Sequence, residues 1–186
     1  NVGYLLVGAA LERVTGSHFG DLMQDEVFGP LGIGSCELGT PSTAEAGDQP
    51  WGHDQNDDPV PPDEVEDLDL ISPAGSVTYC AMDGWVLFLQ EMMKAHDGES
   101  DWLTAATVAE IVDPVANQYA LGWGVFSRGG VTSFTHDGSN TQNYSSAWIT
   151  PSQDLGWIVV TNAQASRGGL ATSAVSIRID AEFLDR

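Results

Sequence analysis

The spacing of apolar residues changes character once along this chain, and that change does most to limit what it can fold into. Up to about residue 112 the apolar positions recur at helical intervals. From Tyr119 onward they fall in short runs of strand-forming residues separated by turn signals. Tyr4, Leu5, Val7, Ala10, Leu11 and Val14 line one face of a first helix that Gly16 stops. Ser17 is placed to cap a second helix carrying Phe19, Leu22, Met23, Val27 and Phe28, which Pro30 and Gly32 end. Residues 34–70 are rich in Pro, Gly and Asp and show no sustained period. Helical spacing returns over Cys80–His96 (Met82, Trp85, Val86, Phe88, Leu89, Met92, Met93), and Thr104 is a good N-cap for a shorter helix to Val112. Strands are expected at Tyr119–Phe126, Val131–His136, Tyr144–Thr150 and Leu155–Asn162, joined by hairpin-length turns and therefore antiparallel. An amphipathic helix over Arg167–Leu184 should close the chain. Helices, then a strand meander, then a helix make an α+β fold. The expected layout is a single partial domain over residues 1–186, mainly helical over 1–115 with the acidic loop 34–70, and sheet plus C-terminal helix over 116–186.

With 186 residues, 42% of them hydrophobic, the chain can fill a core of its own. Its charge is far from balanced: 27 acidic residues against 6 Lys and Arg give a formal net charge of −21. Such a surface repels phosphate backbones and anionic lipid heads, which disfavours nucleic-acid and membrane-surface roles. No run of about 18 apolar residues is present, so no membrane insertion is expected. The acids are spread along the chain, with a local excess from Asp54 to Asp69, the pattern of a folded protein adapted to high salt, where counterions screen self-repulsion. The two cysteines, Cys36 and Cys80, form no metal-ligand spacing and no disulfide framework and are read as buried thiols. His18, His53, His96 and His136 are scattered without a metal-binding pattern, so neither a metal nor another cofactor is expected.

Three stretches carry a family likeness. Asn1-Val2-Gly3-Tyr4-Leu5-Leu6-Val7-Gly8, then Leu11-Glu12-Arg13-Val14-Thr15-Gly16 and Val27-Phe28-Gly29-Pro30-Leu31-Gly32-Ile33, form the first. Pro73-Ala74-Gly75-Ser76-Val77, with Asp83 and Phe88 on the ensuing helix, is the second. Leu121-Gly122-Trp123-Gly124, His136-Asp137-Gly138-Ser139 and Val159-Val160-Thr161-Asn162 form the third. In order and spacing these resemble the penicillin-binding-protein-like serine hydrolases, the family of class C β-lactamases and related esterases. The resemblance runs through nearly the whole chain and implies the helical subdomain and antiparallel sheet of that fold.

It also implies a chemistry. The family's pattern joins a Ser-x-x-Lys nucleophile, a Tyr-x-Asn or Ser-x-Asn turn, and a Lys-Thr-Gly or His-x-Gly strand. The lysine helps the serine hydroxyl lose its proton, and backbone N–H groups stabilise the oxyanion. The third motif corresponds to His136-Asp137-Gly138. By this likeness His136 stands where many relatives have lysine, Gly138 lets substrate approach the strand edge, and the Ser139 N–H supplies half of the oxyanion hole. Asp137 and Tyr144 would contact substrate. Asn1 matches the asparagine of the second motif. The first motif is missing: Lys94 is the only lysine, and Glu91 stands three residues before it.

The leading expectation is therefore a fragment or truncated homologue of a serine hydrolase, one whose complete form acts on β-lactams, esters or D-amino-acid peptides. Alone it should be inactive. The alternatives are a non-catalytic module keeping the cleft for a ligand or protein, and an enzyme with a relocated nucleophile at Ser76 or Ser139. A missing portion of the fold would leave a bare sheet edge, so a homo-oligomer or a complementing N-terminal segment is the expected partner. The sequence leaves the compartment open.

Overall fold

The computed structural model describes residues 2–39, 42–43, 45–64 and 78–184. Five α-helices are present among them: α1 (Val2–Thr15), α2 (Phe19–Met23), α3 (Met82–His96), α4 (Ala105–Val112) and α5 (Ala165–Phe183). A π-helical turn, Gln24–Phe28, prolongs α2. The strands are β1 (Cys36–Leu38), β2 (Gly52–His53), β3 (Pro59–Val60), β4 (Thr78–Cys80), β5 (Gly124–Arg128), β6 (Val131–Ser139), β7 (Tyr144–Thr150) and β8 (Leu155–Thr161). This is the expected α+β order of helices, meander and closing helix.

Local chemistry explains most boundaries. Thr104 caps α4 as expected, its hydroxyl accepting from the Thr107 N–H at 3.1 Å. Ser17 does not cap α2: the cap position falls on His18, and the Glu12 carboxylate reaches across from α1 to accept from the Phe19 N–H at 2.8 Å. Strand β5 starts at Gly124 rather than Tyr119, because Asn117, Gln118 and Gly122 all take positive φ and turn the chain back on itself first.

Strands β5–β8 form one antiparallel sheet in sequential order. Core packing fixes its faces. Phe134, Ala147 and Ile149 bury on one side beneath Leu89, Met92 and Ala95 of α3, with Val108 of α4 and Trp123 completing the cluster. On the opposite side Trp148 stacks on Trp157 with ring centroids 5.7 Å apart, and the Trp157 indole donates to Ser176 of α5 at 3.1 Å. Ser133 and Thr150, both buried, satisfy each other at 2.7 Å.

The acidic loop contains elements that its sequence does not announce. β2 and β3 pair as a small hairpin whose Gly52 lies against Gln142 and Asn143. The His53 N–H donates to the Gln142 carbonyl at 3.1 Å, and Asn162 donates to the Trp51 carbonyl at 2.9 Å. β1 pairs with β4, and within that pair Cys36 faces Cys80 directly. The two form a disulfide, which corrects the expectation of two thiols. A sequence separation of 44 matches no local spacing rule, and only the β1–β4 register brings the sulfurs together.

Two outcomes follow. The intact chain in denaturant should show no free thiol until reduced and two thereafter, by thiol titration. Replacing both cysteines with serine should cost roughly 2–4 kcal/mol in urea unfolding.

The α3–α4 connection titrates. Glu91 accepts from the Ser100 hydroxyl at 2.6 Å and pairs with Lys94 at 3.1 Å. Ser100 in turn accepts from the Trp102 and Leu103 N–H groups. The Ser100 hydrogen bond, helped by Lys94 and opposed by burial, holds the Glu91 carboxyl below its ordinary range. A carboxyl depressed in the folded state stabilises above its unfolded pKa, and that stability fades as pH falls through the folded value. Glu91→Gln should therefore be less stable than the parent at neutral pH, with the gap closing on acidification, as read by urea midpoints across the acid limb.

Candidate functional site

The H-D-G-S segment occupies the last four residues of β6. Its pairing with β7 runs His136 to Ala147, Asp137 to Ser146, Gly138 to Ser145 and Ser139 to Tyr144. Pairing with β5 ends at Thr135, so β5 leaves the other edge of these four residues uncovered. Alternation along the strand divides them between the two sheet faces. His136 and Gly138 share the α3 face with Phe134 and Ala147. Asp137 and Ser139 share the α5 face with Ser146 and Tyr144.

On the α3 face His136 lines an open cavity of about 310 Å³ together with Trp85, Phe88, Gly122, Trp123 and Ala147. Trp85 and Phe88 come from consecutive turns of α3, and Phe88 meets Trp102 edge-on at 6.1 Å. Trp123 is buried and Gly122 precedes it in the turn before β5. The His136 Nδ1 is hydrogen-bonded to the Gly122 carbonyl. Gly122 holds φ +86°, and a Cβ there would lie 3.5 Å from the Tyr4 hydroxyl, so the early part of α1 borders this turn. No lining residue carries a fixed charge.

The other candidates are placed as follows. Tyr144 lies apart from His136: a Cβ added to Gly168 of α5 would meet the Tyr144 Cβ at 2.4 Å, so helix and tyrosine are in close contact on the far face. Burial, and secondarily the Asp137 carboxylate, raise the Tyr144 phenol above its usual value. Asp137 and Tyr144 are thus neighbours on that face. Ser139 donates to the Asn143 carbonyl at 2.7 Å and accepts from the Thr141 N–H at 3.1 Å, which ties its hydroxyl into the β6–β7 turn. Asn1, Ser76 and the Pro73-Ala74-Gly75 motif lie outside the described residues. Sequence reasoning missed Trp85, Phe88, Gly122, Trp123 and Ala147 as cavity walls. The Leu121-Gly122-Trp123-Gly124 motif was the available signal for Gly122 and Trp123, while Trp85 and Phe88 read from spacing as core.

Among the described residues no group of three or more His, Cys, Asp or Glu side chains could hold a metal ion. Among those residues, too, no helix is long and apolar enough to cross a membrane.

A comparison with curated protein sequences gave no match. Solved structures share the fold at low identity. A penicillin-binding protein from Bacillus halodurans superposes with a TM-score of 0.72 at 16% identity, over 95% of this chain and 54% of its own. A class C β-lactamase from Rhodobacter sphaeroides gives 0.68 at 18% identity, over 87% and 54%. A D-amino acid amidase from Ochrobactrum anthropi SV3 gives 0.65 at 22% identity, over 87% and 49%. The chain spans about half the length of these three structures. The β-lactamase family model matches residues 1–180, and the chain belongs to that family.

Proposed function

We propose that this chain supplies the substrate-facing strand of a serine-hydrolase site and lacks the nucleophile needed to use it alone. The observation that carries this reading is the placement of its single lysine. Lys94 sits on α3 in an ion pair with Glu91 at 3.1 Å, three residues after a glutamate rather than a serine, so the family's Ser-x-x-Lys pair is not among these 186 residues. What remains is the oxyanion side. The β6 end left uncovered by β5 offers backbone to an acyl substrate, with the Ser139 N–H as one donor and His136 on the cavity side. Joined to a serine–lysine pair, and with Asn1 as the asparagine of the second motif, such a site would perform acyl transfer on β-lactams, small esters or D-amino-acid peptides and amides. Asp137 and Tyr144 would then act on substrate only indirectly, through the far face of the sheet.

The test is turnover of nitrocefin and p-nitrophenyl acetate by the 186-residue chain beside Ser76→Ala, Ser139→Ala and His136→Ala variants. No turnover above buffer is expected from any of them. Activity that one serine substitution abolishes would overturn the proposal in favour of a relocated nucleophile. The cavity walled by Trp85, Phe88 and Trp123 favours one second reading, a non-catalytic binding module. Ligand-dependent thermal stabilisation without turnover is its signature.

Exposed apolar surface supports association. Val2, Leu6 and Val14 of α1 are 70%, 68% and 84% exposed, and Leu170 and Ile177 of α5 are 75% and 69% exposed. Among the described residues β8 pairs only with β7, leaving a sheet edge. A homo-oligomer or a complementing segment would cover these surfaces. Sedimentation velocity should show a species larger than the 19.8 kDa monomer, or a monomer that binds an apolar-surface dye. A monomer that binds none would contradict this.

A further inference from the structure

We propose that the Cys36–Cys80 disulfide is a redox latch on the aromatic cavity. Oxidised, it holds the first turns of α3 in place, and with them Trp85 and Phe88. Reduced by a dithiol, it releases those turns while the sheet and the later turns of α3 stay folded. That the latched cavity is the substrate side of the molecule rests on the reading proposed above.

The surroundings of the bond link it to the cavity. The larger buried cluster lies between α3, α4 and the sheet, and a smaller one consists of Phe28, Ile33 and Cys36. Half of the disulfide is thus a member of the smaller cluster. Phe88 packs against both clusters and also lines the cavity. A displacement of Cys36 therefore reaches the cavity through one shared ring.

The start of α3 leans on the same segment. The Ala81 N–H donates to the Ser35 carbonyl at 3.2 Å, and the Ser35 hydroxyl donates to the Asp83 carboxylate at 3.0 Å. Gly84 lies so near that a Cβ added to it would meet Ile33 at 2.9 Å and the Cys36 Sγ at 3.4 Å. Met82, Val86 and Leu87 face outward and are exposed, whereas Leu89, Met92 and Ala95 are buried in the larger cluster. The helix thus has one anchorage on the β1 side at its start and another on the sheet further along. Trp85 and Phe88 stand between the two.

Without its covalent bond the first anchorage is weak. β1 and β4 are three residues long, and among the described residues neither pairs with another strand. A two-stranded ladder of this kind is marginal by itself in water. The Ser35–Asp83 hydrogen bond is exposed, so water competes for both partners. Cutting the disulfide also returns to the intervening segment the chain freedom that closure had removed.

The exchange chemistry balances with one dithiol. Cys36 is 4% exposed and Cys80 is half-buried, so an external thiolate reaches the Cys80 sulfur first. It forms a mixed disulfide there and expels Cys36 as a thiolate, which takes a proton from water. The second thiol of the reductant, deprotonated, then attacks the reductant's own sulfur in the mixed disulfide. Cys80 leaves and is protonated, and the reductant departs as a cyclic disulfide, having supplied both electrons. An oxidised dithiol resets the latch by the reverse steps.

Amide hydrogen exchange on the full chain tests this, comparing the oxidised protein with protein held in excess dithiothreitol without denaturant. Once thiol titration shows the bond reduced, exchange over residues 35–38 and 80–88 should quicken about tenfold or more, while that over 89–96, 133–136 and 147–150 changes by less than about twofold. Labelling with 5-fluorotryptophan reads the wall itself. The Trp85 fluorine signal, identified by its loss in Trp85→Phe, should shift on reduction and return on reoxidation. The Trp157 signal, identified in the same way, should stay. A bond that native protein does not surrender to dithiothreitol overturns the latch, and so does exchange that is unchanged or quickened throughout the chain. A Trp85 signal that does not move removes the link to the cavity and overturns it equally. These readouts need no turnover, so failure here leaves the serine-hydrolase reading intact. Ester turnover by the chain alone would sink that reading without touching the latch.

Discussion

The packing of α3 against β6 and β7 fixes where everything else in this molecule points. Leu89, Met92 and Ala95 meet Phe134, Ala147 and Ile149, and no polar residue on those strands can exchange places with them without burying itself. Side chains alternate along a strand, so the burial of Phe134 sends His136 to the same face and Asp137 to the other. A one-residue slip would put Asp137 in the aromatic cavity and His136 under α5. The cavity and the hydrogen bond to Gly122 are in this sense consequences of core packing.

The same constraint explains how much of the molecule could be read from its sequence. The long helices and the four-strand meander are periodic over enough residues to declare themselves, and Thr104 and Gly16 mark two of their ends. The H-D-G-S strand and its glycine-tryptophan companion could be located by pattern. The placement of Tyr144 could not, because it depends on register. Tyr144 pairs with Ser139, so it shares that residue's face, and only the length and bonding of the 140–143 turn decide the parity. β1, β2, β3 and β4 are two or three residues long, too short for any period to show. Ser17 and His18 are both reasonable caps locally. The choice was made by Glu12, seven residues before the Phe19 N–H it accepts from.

Charge plays a different part from packing. Among the described residues, cations meet acids at Lys94–Glu91, Arg128–Asp180 and Arg167–Asp57; the two arginine pairs lie on the surface, where a single pair contributes little, while Glu91 is half-buried. With 27 acidic residues against 6 Lys and Arg, the acids far outnumber the cations. They form an outward field that opposes anions approaching any part of the molecule, and the α3 face of the sheet answers it with aromatic carbon rather than with counter-charge. Neutral or cationic compounds meet no such opposition.

The Cys36–Cys80 bond closes residues 37–79 into a covalent ring whose only exits are β1 and β4. Within that ring, backbone can be lengthened, shortened or even cut once without parting the two strands, and each doubling of its length adds only about 0.6 kcal/mol of closure entropy. Helix α3 starts two residues beyond the bond, so the disulfide fixes the start of the wall that carries Trp85 and Phe88 to β1. The same ring carries the β2–β3 hairpin that packs on Gln142 and Asn143, so one covalent bond ties the acidic segment both to α3 and to the turn after β6.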